Sequence, residues 1–201
     1  MESILQDLLQ RETTAFDEQI NALKSWALWP VFEQKIKELK TECLYKSHIH
    51  GIAHIERVLL FGGLIAMEND CNEADTVLLL TACSYHDIGR IDDSKDDEHG
   101  SRSSSMLSDV IMLPQEDMRI VQAAIHAHSP NDEHMAQIIA SYGVKDSDRA
   151  FYIAKMLKDA DALDRVRVDD LDIKYLRFDA SKKYKDFAQS LYEYYKYYLG
   201  Y

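Results

Sequence analysis

A histidine and an aspartate stand side by side at His86 and Asp87, directly after an apolar stretch from Val77 to Cys83. That stretch predicts a buried helix, because it has no polar face wide enough for solvent. An ionised carboxylate at the end of such a helix is costly unless it is paired or bound to a metal. The pair therefore indicates either a metal site or a Tyr-His-Asp cluster that satisfies its own hydrogen bonds.

Another histidine falls on an apolar helix face. His54 continues the stripe of Val58, Phe61 and Ile65, so its imidazole is expected to point inward. His50 lies one turn earlier and could border the same cavity. Taken alone, an inward histidine is more often a hydrogen-bonded core residue than a metal ligand.

His128 shares a face with Val121 and Ala124, whereas His126 lies on a wetter face of the same predicted helix. We therefore expect His128 to point inward and His126 to point to solvent or to the rim of a pocket. His99 stands at the start of another predicted helix.

One acid continues the apolar stripe of the helix predicted from Ser147 to about Val166. The stripe of that helix leads to Asp161, and Asp159 lies on a wetter face. The pattern predicts that Ser147 caps the helix and that Asp161 is the buried acid.

The chain that positions these residues has 201 residues, 46% of them apolar, with only 7 Gly and 3 Pro. So few helix breakers favour long helices, and the sequence predicts an all-α, single-domain helical bundle. We expect N-terminal packing helices over 1–47, including one from Val31 to Tyr45. A metal-binding core would follow over 48–167, with a helical C-terminal segment over 168–201 packed on it.

The charge and the cysteines limit the class of protein. A formal charge of −12 would repel a nucleic-acid backbone, which argues against nucleic acid as a partner. No apolar run is long enough to cross a bilayer, so no membrane partner is expected. Three cysteines without CxxC spacing, and no secretory signal, predict a cytoplasmic protein.

The Tyr-rich end, 192–201, could pack on the body or form a contact in a homo-oligomer.

The motifs, in this order along the chain, resemble the HD-domain metal-dependent phosphohydrolase superfamily. The motifs that carry the resemblance are His54-Ile-Glu-Arg57-Val58, His86-Asp87-Ile-Gly-Arg90, His99-Gly-Ser-Arg102-Ser103-Ser104, Ala124-Ile-His-Ala-His128 and Asp159-Ala-Asp161-Ala-Leu163-Asp164. They fall within roughly residues 48 to 167. Each motif is weak alone, but five in order make a specific pattern that lowers the weight of the core-cluster alternative.

The resemblance implies one or two divalent metals per chain. Its first-metal ligands are His54, His86, Asp87 and Asp161, and Asp87 is the catalytic aspartate that can bridge to a second metal. The second-metal ligands are His99 and His128. Mixed imidazole and carboxylate ligation suits Mn, Fe, Co, Ni, Zn or Mg, and ligand type does not choose among them.

Arginines close to these ligands favour a phosphate substrate. Arg57, Arg102 and Arg165 follow His54, His99 and Asp161 by three or four residues, so each lies on or beside the face of its ligand. A guanidinium can bind two phosphate oxygens, but each of these arginines could instead pair with a neighbouring acid. The predicted substrate-binding set is Arg57, Arg90, Arg102, Arg165 and His50.

The sequence thus predicts a hydrolase that cleaves a phosphate monoester or anhydride of a small molecule, most simply a nucleotide, with metal-activated water. The alternatives left open are a phosphodiesterase for nucleotide bis-esters and a non-catalytic metal or nucleotide sensor. The HDxxED pattern of alarmone hydrolases is absent, because Arg90 and Ile91 stand there, and so is the GYP signature of cyclic-di-GMP phosphodiesterases.

Overall fold

The computed structural model describes residues 3–200 and contains no β-strand among them. The described chain forms eleven α-helices: α1 (Ile4–Gln10), α2 (Asp17–Ser25), α3 (Trp29–Lys37), α4 (Ile52–Glu68), α5 (Glu73–Tyr85), α6 (His99–Val110), α7 (Gln115–His128), α8 (Met135–Ser141), α9 (Ser147–Leu163), α10 (Asp179–Lys182) and α11 (Lys185–Leu199). A 3-10 segment, Asp164–Val168, continues α9. The all-α prediction is confirmed.

Helix α4 runs through the middle of the core, and every residue from Ala53 to Ala66 is buried. Two adjacent glycines let its neighbours come close. A Cβ on Gly63 would lie 2.5 Å from the Phe32 ring of α3, and one on Gly62 would lie 2.7 Å from the Cys83 Sγ of α5. Larger side chains there would push both helices away from α4.

Helices α5, α6, α7 and α9 complete the core around α4. The residues singled out for chemistry lie near the ends of these helices. His54 is in the first turn of α4, His99 begins α6 and His128 ends α7. His86 directly follows α5, and Asp161 is in the last turn of α9. The polar site therefore forms where these ends meet.

Some predicted helix boundaries are wrong. The helix expected from Val31 to Tyr45 ends at Lys37, and a 3-10 turn covers Thr41–Cys43. The chain leaves the helix where the Lys40 backbone N–H donates to the Tyr85 hydroxyl, at 3.3 Å. Helix α9 is capped by the Asp146 carboxylate, which accepts from the Arg149 N–H, and not by Ser147.

The C-terminal helix α11 packs on the body through Phe187, Leu191 and Tyr195, which are buried. Tyr197 on the same helix is 83% exposed. Tyr201, the last residue of the predicted Tyr-rich contact, lies outside the described residues. None of the helices in the described range is long and apolar enough to cross a bilayer.

Candidate metal centre

Imidazoles of four buried histidines meet in one cluster with their Nε2 atoms facing one another. The Nε2 atoms of His54 and His86 are 3.1 Å apart, and those of His99 and His128 are 2.8 Å apart. The helix ends bring all four predicted histidines together.

The Nδ1 partners fix the tautomer of each ring. Each Nδ1 of the four rings faces an oxygen that can only accept: Asp164 Oδ2 for His54 at 2.7 Å, and the backbone carbonyls of Cys83 for His86 at 3.0 Å, of Asp96 for His99 and of Ile125 for His128 at 2.5 Å. The proton must therefore sit on Nδ1. Burial lowers the pKa of His86 to about 3 and also lowers the pKa of His128, which keeps these two rings neutral. In neutral rings of this tautomer, Nε2 carries only a lone pair.

Lone pairs that face each other at 2.8–3.1 Å cannot hydrogen-bond, and a cation between them would remove the repulsion. Ligands about 2.1 Å from one ion lie roughly 3.0–3.4 Å apart in octahedral or tetrahedral arrangements, which is close to the observed spacing. The donor chemistry of the cluster therefore fits a divalent metal.

The Asp87 carboxylate lies between the two histidine pairs. Its Oδ1 is 3.1 Å from His99 Nε2 and 3.7 Å from His128 Nε2. Its Oδ2 is 3.5 Å from His54 Nε2 and 3.8 Å from His86 Nε2. Because these nitrogens have no proton to donate, the buried Oδ1 has no hydrogen-bond partner. An orphaned carboxylate oxygen facing two lone pairs is a second feature that fits a metal.

Asp161 completes the first group from the α9 side. Its Oδ1 lies 3.4 Å from His54 Nε2 and 3.8 Å from His86 Nε2. Burial opposes ionisation of this carboxyl, but the His86 and His54 imidazoles and then Arg167 lower its pKa well below the usual range. The carboxylate is thus the form that faces the imidazoles.

The predicted burial of the two α9 acids is reversed. The Asp159 side chain is fully buried, whereas the Asp161 side chain is 25% exposed. Asp159 accepts the backbone N–H groups of Arg177 and Phe178 at 2.9 Å and binds the Arg177 guanidinium at 3.1 Å. Asp159 therefore anchors the segment that precedes α10, and Asp161 faces the opening of the site.

Three overlapping groups in the described chain could hold a metal ion, with the ligand atoms of each within 4.8 Å of one another. The groups are His54-His86-Asp87, His86-His128-Asp161 and Asp87-His99-His128. All six residues implied as ligands by the resemblance therefore lie in one place. Asp87 belongs to two groups that share no other member, which is the arrangement a bridging carboxylate needs.

Asp164 lies behind the candidate ligand His54, a supporting role that was not predicted from the sequence. It is fully buried and accepts from His54 Nδ1 at 2.7 Å and from Arg57 Nε and Nη2 at 2.5 and 2.9 Å. Burial opposes its ionisation, but Arg57 above all lowers its pKa to about 2. A carboxylate behind a ligand histidine fixes the ring and raises its basicity. The sequence signal for this role was its position three residues after Asp161, which places the two acids on one helical face.

Arg57 lies in a buried ion pair with Asp164, and substrate binding by Arg57 stays a prediction. Its side chain is 2% exposed, its Nε and Nη2 are bound to Asp164, and the guanidinium lies 5.0 Å from the Tyr195 ring centroid. Of the two roles left open by the sequence, the structure favours the ion pair. A guanidinium held this way orients Asp164, and through it His54.

Arg90 and His50 lie beside the cluster. Arg90 Nε donates to Asp87 Oδ2 at 2.9 Å, and its side chain is 10% exposed. His50 Nδ1 donates to Asp93 Oδ1 at 2.9 Å, and its ring lies edge-to-face with His54 at 5.8 Å. Substrate binding by these two residues stays a prediction.

The other two predicted arginines lie further out. Arg102 donates to the Gly89 carbonyl at 2.8 Å and pairs with Asp96. Arg165 pairs with Asp170, and its side chain is 48% exposed. Both use the guanidinium in an ion pair, which is the alternative that the sequence left open, and their contact with a substrate also stays a prediction.

A cavity of about 680 Å³ opens beside the cluster and is lined by Asp161 and His128. Four cationic side chains also line it: Lys158, Arg165, Lys174 and Arg177. Lys158 Nζ binds the carbonyls of Ala127, His128 and Pro130 at 2.7–3.2 Å, so it caps the end of α7. This cap holds His128 in place.

His126 stays outside the cluster, with Nδ1 3.0 Å from the Tyr142 hydroxyl. This geometry agrees with the facing difference expected between His126 and His128.

A model of the HD domain family matches residues 51–166, which is 116 of the 201 residues. The chain belongs to the HD-domain family. It is therefore a member of the metal-dependent phosphohydrolase superfamily that the motifs resembled. All six residues of the candidate metal centre lie within the matched segment. No curated protein and no solved structure was found to match the chain.

Proposed function

We propose that this HD-domain protein is a metal-dependent phosphohydrolase that cleaves a phosphate monoester or anhydride of a small molecule, most simply a nucleotide. The observation that carries the proposal is the Asp87 carboxylate, which turns one oxygen to each of two histidine pairs whose Nε2 lone pairs face inward. Two ions that share one carboxylate are typical of sites for in-line displacement at phosphorus.

The residues that would hold the ions are His54, His86, Asp87 and Asp161 for one, and Asp87, His99 and His128 for the other. Divalent ions at these positions would supply an activated water and neutralise phosphate oxygens as charge moves to the leaving group.

The chain's own residues orient these ligands. Asp164 and the carbonyls behind His86, His99 and His128 hold every Nδ1 proton in place, so every Nε2 is directed inward. Arg90 stabilises the ionised Asp87, and Lys158 holds the α7 end that carries His128.

The cavity supports a small-molecule substrate of about nucleotide size. Its volume, about 680 Å³, falls in the range of small-ligand pockets, roughly 300–1,000 Å³. Tyr175, 66% exposed, lies on its lining and offers an aromatic ring, with Lys174 Nζ 4.7 Å from the ring centroid. Arg165 lines the same cavity. An aromatic ring next to cations suits a base and a phosphate chain.

A metal-by-substrate screen tests the function. The metal-free protein is loaded in turn with Mn, Fe, Co, Ni, Zn and Mg and incubated with p-nitrophenyl phosphate, bis-p-nitrophenyl phosphate, nucleoside monophosphates and nucleoside triphosphates. Phosphate release from monoesters or anhydrides that is lost in Asp87→Ala supports the proposal. Turnover of the bis-ester alone would mean a phosphodiesterase, and nucleotide binding without release by any metal form would mean a sensor.

A further inference from the structure

Arg167, in the 3-10 segment after α9, is a buried guanidinium with unused hydrogen-bond donors. Its side chain is 7% exposed, and its Nε and Nη1 atoms are buried without a hydrogen-bond partner. Its ion pair is loose, because Nη1 lies 3.5 Å from Asp164 Oδ2, an oxygen already used by His54 and Arg57. Buried donors are nearly always satisfied in proteins, so two orphaned N–H groups on one side chain need an explanation.

The guanidinium lies at the edge of the candidate metal centre. The Asp164 oxygen that lies 3.5 Å from its Nη1 also accepts from Nδ1 of His54, a candidate metal ligand, at 2.7 Å. Arg167 and His54 therefore share one carboxylate oxygen, and Arg167 makes no direct hydrogen bond to the ligand.

Arg167 differs in this respect from the other arginines near the site. Arg57 gives two hydrogen bonds to Asp164, Arg90 donates to Asp87, and Arg102 donates to the Gly89 carbonyl and Asp96. Arg165 pairs with Asp170. Those four arginines already use donors that a phosphate would need, whereas the Nε and Nη1 donors of Arg167 are buried without a hydrogen-bond partner.

We propose that Arg167 binds a phosphate oxygen of the substrate, beside the first metal group, and so takes the role predicted for Arg57. This inference rests on the proposed function and adds a binding residue to it. A phosphate group would satisfy the orphaned donors with charge-assisted hydrogen bonds, which a neutral ligand would do less well. Asp164 would hold the guanidinium loosely enough for it to move onto the ligand.

Inorganic phosphate is the probe, and its affinity for the Mn²⁺-loaded full chain is measured by isothermal titration calorimetry. Arg167→Met should weaken phosphate binding by about ten- to a hundredfold, and Arg167→Lys should restore part of it, because one point charge replaces a planar group. Metal content, measured by plasma mass spectrometry, should stay at the wild-type value. The melting temperature without phosphate should fall by only a few degrees at most, because the lost pair with Asp164 is loose and two unsatisfied buried donors are removed with it.

The control is Arg149→Met. Arg149 is also partly buried and paired, with Asp75 and Asp117, but it lies in the first turn of α9, about 18 Å along the helix from Asp161. This variant should bind phosphate as the wild type does.

Phosphate affinity within twofold of the wild type in Arg167→Met would overturn the inference, and so would a wild-type protein that does not bind phosphate. A large fall in melting temperature, or failure of Arg167→Met to fold, would show a structural guanidinium instead. If Arg167-dependent phosphate binding occurs without hydrolysis of any substrate, the proposed function fails and the binding site stands. If hydrolysis occurs but Arg167→Met binds phosphate as the wild type does, the proposed function stands and the role of Arg167 fails.

Discussion

Replacing Arg57 should damage stability and metal binding together, because its guanidinium and Asp164 form a buried pair. The two side chains are 2% and 0% exposed, with bonds of 2.5 and 2.9 Å. Arg57→Ala would leave Asp164 with His54, at 2.7 Å, and with Arg167, whose Nη1 lies 3.5 Å from the carboxylate. Breaking a buried pair from one side costs about 3–5 kcal/mol. At roughly 2–4 °C per kcal/mol for a chain of this length, the melting temperature should fall by about 6–20 °C.

The same change should weaken metal binding, because His54 loses part of the support behind its Nδ1. Loss of such outer contacts typically lowers metal affinity by about ten- to a hundredfold. Stability is measured by calorimetry on metal-free protein, since bound metal would itself raise the melting temperature. Metal affinity is measured separately by titration with a competing chelator. Arg11→Ala is a matched control, because Arg11 forms a 2.7 Å pair with Asp7 in which both side chains are about half exposed; its melting temperature should barely change.

A double-mutant cycle with Asp164→Asn separates the pair from the packing of Arg57 on Tyr192 and Tyr195, whose ring centroids lie 5.3 and 5.0 Å from the guanidinium carbon. Strong coupling between the two substitutions is expected, since each removes the same interaction. Additive effects, or an Arg57→Ala protein that melts like the wild type and loses only phosphate affinity, would refute the assignment of Arg57 to the ion pair.

Three more outcomes test the centre itself. Asp87→Ala should lose bound metal and activity together while helical content measured by circular dichroism is kept, and full metal occupancy in that variant would contradict the assignment. His128→Ala should lower metal content from about two per chain towards one, and His126→Ala should not; equal effects would show a single-metal site or a misplaced helix face. In the metal-free protein, burial lowers the pKa of His86 to about 3 and of His50 to about 4, below the usual value of about 6.5. Above pH 6.5 both rings are neutral in the folded and the unfolded protein, so stability is highest there. As the pH drops from about 6.5 to 3, protonation favours the unfolded chain, and calorimetry should show a falling melting temperature. The fall should be less steep in His50→Gln.

The parts of the site that depend on local patterning could be predicted from the sequence. The stripe of Val58, Phe61 and Ile65 placed His54 on an inward face, and Val121 and Ala124 did the same for His128. The direction in which a side chain points is set by the 3.6-residue period of the helix, and the spacing of the apolar residues shows which face points inward. The all-α class follows equally from the scarcity of Gly and Pro.

Features that depend on distant partners could not be predicted in this way. Asp159 is buried because the backbone of residues 177 and 178 returns to bind it, and no pattern within α9 shows that. Arg57 is held by Asp164, 107 residues away, so its spacing from His54 alone could not show this ion pair. Helix α3 stops short where Lys40 meets Tyr85, a contact across 45 residues.

The charge of the metal-loaded site would let a protein with a formal charge of −12 bind the proposed anionic substrate. Within the cluster, Arg57, Arg90 and Arg167 give +3, and Asp87, Asp161 and Asp164 give −3, while neutral imidazoles add nothing, so the metal-free site has a formal charge of zero. Each divalent ion adds +2, and the loaded site becomes locally positive inside an acidic protein. Salt screens surface charges that lie more than about 8–10 Å from the anion, whereas ions bound in the site would act on it at contact distance. Phosphate affinity should therefore depend strongly on metal loading and weakly on ionic strength, and calorimetry with inorganic phosphate at two salt concentrations checks this. Binding by metal-free protein that weakens steeply with salt would place the anion on the surface instead.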